Sequence, residues 1–126
     1  LQVDLSGQCA SESIGTLQLS GTGGQTETAS GARQSEGGKS IIALHSTANV
    51  KNAAGGRERV STIVPVQPAG MAISLMRADV DFVVTEYGVA SLRGASIRGR
   101  AAELINIAHP DYRDQLIYEA KKLYLM

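Results

Sequence analysis

The sequence predicts an α/β fold, a largely parallel sheet with flanking helices. Three observations point there. Apolar runs such as Ile41-Ile42-Ala43-Leu44 and Phe82-Val83-Val84-Thr85 lack strict alternation, the pattern of strands covered on both faces. Residues 81–100, DFVVTEYGVASLRGASIRGR, read in order as a buried strand, a charged turn and a helix. Beyond them, Ile97, Ala101, Leu104, Ile105 and Ala108, then Leu116, Ala120 and Leu123, recur at helical spacing.

Taken in order, Val3-Asp4-Leu5 alternates and reads as a strand, turned by Ser6-Gly7-Gln8. A second short strand is expected around Leu17 and Leu19, followed by Ser20-Gly21-Thr22-Gly23-Gly24-Gln25 and a short helix over Glu27–Ser35. Gly37-Gly38 lead into the apolar run at Ile41, expected to be a fully buried strand. Asn49–Arg59 is polar and glycine-containing and reads as an exposed loop. Val60–Val66 and Met71–Met76 are expected strands, the first stopped by Pro65 and Pro68, and Arg77–Asp81 an acidic turn. Ser96 is placed to cap the penultimate helix, with Arg98, Arg100, Glu103 and Asn106 facing out. That helix ends before His109-Pro110, and Pro110 with Asp111 suits the first turn of the last one.

The 126 residues fit one domain, 1–126, and 43% hydrophobic residues suffice for a core. Twelve basic residues balance twelve acidic ones, so there is no basic face for nucleic acid, and the absence of tryptophan argues against base stacking. The apolar runs are too short to span a membrane. One cysteine and two separated histidines make no metal site. Cys9 is expected as a small core residue rather than a nucleophile, and an unpaired cysteine fits a cytoplasmic origin.

Two places could carry chemistry. Three glycines in four residues at Gly21–Gly24 leave backbone amides unshielded; they form either a flexible turn or a concave donor site for an anion. Glu86 stands beyond the carboxyl end of the apolar strand, where open α/β sheets gather ligands. Its alternatives are a helix cap or a pair with Arg93. His45 and His109 read as structural, since no partner carboxylate lies near His45 in sequence. Lys51, Arg57 and Arg59 make a basic stretch that suits phosphates as well as it suits solvent.

Five stretches, in this order, carry a resemblance: VDLSGQCASESIG, SGTGGQ, GGKSIIALHST, STIVP, and VVTEYGVASLRG with IAHPDYRDQL. Together they resemble the carboxyl-terminal region of the acetyl-CoA hydrolase / 4-hydroxybutyrate CoA-transferase family over nearly the whole chain. The resemblance implies the carboxyl-terminal part of the NagB/RpiA/CoA-transferase-like fold, cut from a longer enzyme. It implies transfer of coenzyme A, as substrate and without a metal, between an acyl-CoA and a small carboxylate, or thioester hydrolysis; the residues by themselves leave open a non-catalytic module that binds CoA or phosphate through Gly21–Gly24. In that family a glutamate attacks the thioester and becomes a glutamyl-CoA intermediate; that glutamate lies upstream of the matched region. This chain alone is therefore expected to be inactive. Its implied partners are the amino-terminal portion of the same enzyme and further copies in a homo-oligomer. Without that portion a sheet edge is left unpaired, and self-association or marginal stability is expected.

By position Gly24 matches the family glycine whose amide points at the thioester oxygen, and Gly23 and Gln25 flank it. Glu86 matches a residue that helps shape the acyl or carboxylate pocket, with Gly88 beside it. A carboxylate there must be protonated or balanced by a cation. Lys51 is the implied contact to CoA phosphates. The chain departs from the family at Glu27-Thr28, where many members carry Asp-Phe, which puts the packing behind the glycine loop in question.

Overall fold

A computed structural model describes residues 1–126. Its strands are β1 (Gln2–Asp4), β2 (Cys9–Ala10), β3 (Ser13–Ile14), β4 (Leu17–Gln18), β5 (Ile41–Ala43), β6 (Thr47–Lys51), β7 (Arg57–Ser61), β8 (Ile63–Val64), β9 (Phe82–Thr85) and β10 (Gly88–Ser91). Its helices are α1 (Gln25–Gln34), α2 (Ile97–Ile107) and α3 (Pro110–Lys122), with one 3₁₀ turn at Arg77–Asp79.

The α/β class holds, but the sheet is not largely parallel. There are two three-stranded mixed sheets, β2-β1-β8 and β10-β9-β5, and two separate hairpins, β3–β4 and β6–β7. Only β1–β8 and β5–β9 run parallel. The cause is local: the chain doubles back at once after β1 and β9, so each of these strands pairs with its own sequence neighbour.

The core lies between these sheets and the two last helices. Val3, Leu5, Ile63, Leu75, Val80, Val83, Leu92 and Leu104 are its largest fully buried apolar residues. α2 lies on β10 and β9, and α3 packs on α2. The periodicity reading of these helices is right at Ala101, Leu104, Ile105, Leu116 and Ala120, all buried. It fails at Ile97 and Leu123, which stay partly open at the helix ends. Ser96 Oγ accepts from the Gly99 amide at 3.1 Å, so the expected cap is present. His109 caps α3: its Nδ1 accepts from the Asp111 amide at 3.2 Å, with Pro110 in the first turn. The early turn is fixed by buried Asp4, which accepts from the Ser6 amide, the Ser6 hydroxyl and both amides of Gln8.

Four other expectations are corrected. Met71–Met76 forms no strand; the chain there makes one bridge, Cys9 to Leu75. Asn49–Arg59 is no loop but most of the β6–β7 hairpin, in register from Thr47↔Ser61 to Lys51↔Arg57. Its polar side chains both point to solvent and leave the backbone ladder intact, which hides a strand from hydropathy. β5 is half covered: Ile42 is buried while Ile41 and Ala43, on the opposite face, are exposed. Arg100 does not face out; its Nη1 donates to the carbonyls of Ser6 (3.2 Å) and Arg77 (2.8 Å).

Candidate functional site

The glycine stretch joins β4 to α1 and is exposed. Gly23 sits at φ +58°, the left-handed region that favours glycine. Gly24 is the residue before α1, at φ −99° and ψ 19°, a conformation open to any residue. Its carbonyl accepts the first helical bond from the Thr28 amide at 2.9 Å. The amides of Gly24, Gln25 and Thr26 find no acceptor in the chain, and no side chain caps the helix. A row of free donors at the positive end of a helix dipole favours negative charge. A Cβ built on Gly24 meets nothing within 4 Å. The glycine-only φ of this stretch belongs to Gly23, not to Gly24.

α1 is held to the body mainly by polar contacts. Only Ala29 is buried. Thr26 Oγ1 donates to the Ser74 carbonyl at 3.0 Å, and Gln25 Nε2 lies 3.6 Å from Cys9 Sγ. At the other end Arg33 Nη1 meets Asp79 Oδ1 at 2.6 Å, and its Nε lies 3.5 Å from Asp81 Oδ1. Asp81 is 2% exposed, and its Oδ2 accepts from the Ser40 amide at 3.1 Å. It is a buried clasp between α1 and the start of β5, not a turn acid, and Arg93 approaches it at 3.8 Å rather than Glu86. The Gln25 to Ala32 face of α1 and residues Ser40–Ile42 border a shallow depression of about 420 Å³. Cys9 is fully buried, and burial pushes its thiol up, so it is unfit as a nucleophile at neutral pH.

Glu86 stands at the tip of the β9–β10 hairpin, not at a strand-to-helix turn. Gly88, at φ +144° and paired with Thr85, lets the chain reverse there. Buried Thr85 ties the tip down: its Oγ1 donates to the Ile107 carbonyl (2.6 Å) and accepts from the Tyr87 amide (3.1 Å). The Glu86 side chain is exposed, yet both its oxygens are engaged. Oε2 accepts from the Ser46 amide at 2.8 Å and Oε1 from the Ser46 hydroxyl at 2.6 Å. These bonds, the hydroxyl's first, hold its carboxyl down at about 2. Glu86 therefore neither caps a helix nor pairs with Arg93, and it is an anion at neutral pH. Of the two ways open to a carboxylate beside an anionic ligand, protonation is disfavoured here.

Ser46 was not singled out from sequence. Its only signal is position: it follows the apolar run at Ile41–Leu44 by two residues, beyond the same strand ends as Glu86. His45 beside it is exposed. Ala43–His45 and Val84–Glu86 line a second shallow pocket at those ends. The depression under α1 and this pocket thus lie along one strand, β5, toward its start and its end. No hydrogen bond or ion pair joins Gly24 to Glu86. Lys51 is exposed at the end of β6, opposite Arg57, so it sits on a hairpin rather than a loop. No group of three His, Cys, Asp or Glu side chains is placed to hold a metal, and no helix is long and apolar enough to cross a membrane.

Residues 1–120 match the family of the acetyl-CoA hydrolase/transferase C-terminal domain. A 4-hydroxybutyrate coenzyme A transferase of Clostridium kluyveri is 52% identical over 124 residues, 98% of this chain and 27% of that protein. An acetyl-CoA hydrolase of Yarrowia lipolytica is 49% identical over 59 residues, 46% of this chain and 11% of that protein. The crystal structure of RipA from Yersinia pestis superposes with a TM-score of 0.84 at 43% identity, over all of this chain and 27% of that one. The chain spans about a quarter of the length of the curated 4-hydroxybutyrate coenzyme A transferase that it matches.

Proposed function

This chain belongs to the acetyl-CoA hydrolase/transferase family, as its carboxyl-terminal domain, and on that premise we propose that it is part of a CoA-transferase. The reaction moves coenzyme A between an acyl-CoA, of acetyl or butyryl type, and a short-chain carboxylate such as acetate or 4-hydroxybutyrate. The observation that carries the reading is the row of free amides opening α1 at Gly24.

The nucleophile is a glutamate from the part of the relatives' chain that this one does not span. Its carboxylate oxygen bonds to the thioester carbon, the C–S bond breaks, and CoA leaves as thiolate, giving an acyl-glutamyl anhydride. The thiolate then attacks the glutamyl carbonyl and expels the product carboxylate, leaving a glutamyl-CoA thioester. The acceptor carboxylate runs the same steps in reverse. Each addition puts negative charge on a carbonyl oxygen, and the Gly24 N–H stabilises it. Gly23 provides the left-handed turn that aims this amide, and Gln25 anchors the first turn of α1 through Cys9. Glu86, held as an anion, accepts from a donor on the ligand or faces a cation of the longer chain, with Gly88 shaping the hairpin that presents it. Lys51 and Arg57 form a cationic rim for the CoA phosphates.

Gly24→Ala in the full-length enzyme tests this. No neighbour in the chain resists the new Cβ, so a loss arises only from a reacting group beside the amide. A fall of roughly 10²–10³ in kcat with CoA binding kept is expected. Equal loss of binding and turnover, or no loss, overturns it. Hydrolysis is the second reading, favoured by the likeness to the Yarrowia lipolytica hydrolase. Free CoA released without an acceptor acid would select it.

A further inference from the structure

Ser46 is fully buried, yet both of its donors reach one exposed carboxylate. A buried serine can satisfy its amide and hydroxyl on neighbouring backbone, as buried polar groups generally do. Here both groups meet the two oxygens of Glu86, forty residues away in sequence. The geometry is over-determined from the other side as well. Thr85 fixes the hairpin tip to the end of α2, and the Ser46 carbonyl accepts from the Thr62 amide at 3.0 Å. No Lys, Arg or His nitrogen comes within ion-pair distance of Glu86, which leaves Ser46 as the group that sets its direction. The charged or titratable residues around this carboxylate are His45 on the Ser46 side, and Tyr87, with the His109 ring edge-on to it at 5.4 Å and Arg113 lying 5.6 Å over its ring. Among these, only His45 acts on the Glu86 charge, and weakly compared with Ser46.

We propose that Ser46 is a positioning residue for the transfer reaction: its paired donors fix Glu86 in one orientation, so that the pocket beyond β5 and β9 presents an aimed acceptor to the ligand. This rests on the reading of Glu86 as a pocket residue. A carboxylate on a hairpin tip without such a clamp swings among rotamers and loses side-chain entropy each time it engages. Two donors on its two oxygens remove that freedom beforehand, and preorganisation of this kind aids catalysis.

The experiment is a double-mutant cycle in the full-length enzyme with Ser46→Ala, Glu86→Gln and both, reading kcat, KM, CoA-binding stoichiometry and the pH profile. Glu86→Gln is expected to slow turnover tenfold to a hundredfold. Ser46→Ala is expected to slow it roughly tenfold alone, and less than about twofold once Glu86 is already Gln. In Ser46→Ala an acid limb is expected to rise toward the ordinary carboxylate range, because the largest cause of the lowered value is gone. A clasp serving only stability would lower the melting temperature without this coupling or this limb. If alanine unfolds the protein, Ser46→Cys keeps the volume and weakens the donor, and the same coupling is expected. Additive losses, or an unaffected Ser46→Ala beside an impaired Glu86→Gln, overturn the Ser46 role alone. An unaffected Glu86→Gln overturns the pocket reading and the Ser46 role with it.

Discussion

The two ends of β5 are built in opposite ways. Near its start, α1 and the glycine stretch rest on the body through polar contacts, with one buried apolar residue, Ala29. Beyond its end, the Glu86 tip is attached to a hairpin and helix packed through Val83, Ala90, Leu104 and Ile107, all buried. The first region offers unpaired donors, and the second offers an acceptor whose bonds are already made. A helix start with free amides is open to whatever anion arrives, so little of its local structure has to be broken for it to act. A charge on a rigid tip needs its surroundings fixed first, and the core supplies that. Apolar packing sits where orientation matters most, and the amide row takes its aim from the polar clasps at Thr26 and Arg33.

The largest test of this contrast is Leu104→Ala. It empties space between α2 and the β10-β9 layer and should cost about 2–5 kcal/mol in denaturant unfolding. A loss under 1 kcal/mol would mean that this side is packed no better than α1. Next comes Thr85→Val, which keeps the shape but strands the Ile107 carbonyl and the Tyr87 amide. It should cost about 1–3 kcal/mol by thermal unfolding. Thr26→Val is its counterpart on α1, and its exposed position should limit the loss to about 1 kcal/mol or less. Amide exchange should separate the regions too, with α1 exchanging well before α2. Equal protection would break the comparison.

The smallest effect is a pH dependence. The folded state holds Glu86 at about 2, below the ordinary 4.5 of a free glutamate. Its contribution to stability is therefore complete above 4.5 and is lost as the pH falls toward 2. Ser46→Ala should flatten the stability curve across that window. An unchanged slope would show that the clamp carries no stabilising linkage.

The family, the α/β class, the two last helices with their Ser96 and Pro110 starts, and the glycine stretch were all legible in the residues before folding was considered. The family rests on five stretches in order and the class on apolar runs; the helices and the glycine stretch rest on local rules, namely helical spacing, capping chemistry, and three glycines in four residues. Glu86 was legible there too, through the strand that precedes it. Tertiary structure decided the rest. Whether Phe82–Thr85 continues into a helix or folds back as a hairpin depended on Gly88 and its pairing with Thr85. That the polar stretch around Lys51 is a strand depended on Arg57–Ser61 lying opposite. That Glu86 is clamped depended on Ser46, and that Asp81 is a buried clasp depended on Arg33 and Ser40. Local rules read one residue and its near neighbours. A hydrogen bond across forty residues leaves no trace in periodicity or composition, because either partner alone is an ordinary polar side chain until folding brings the two together.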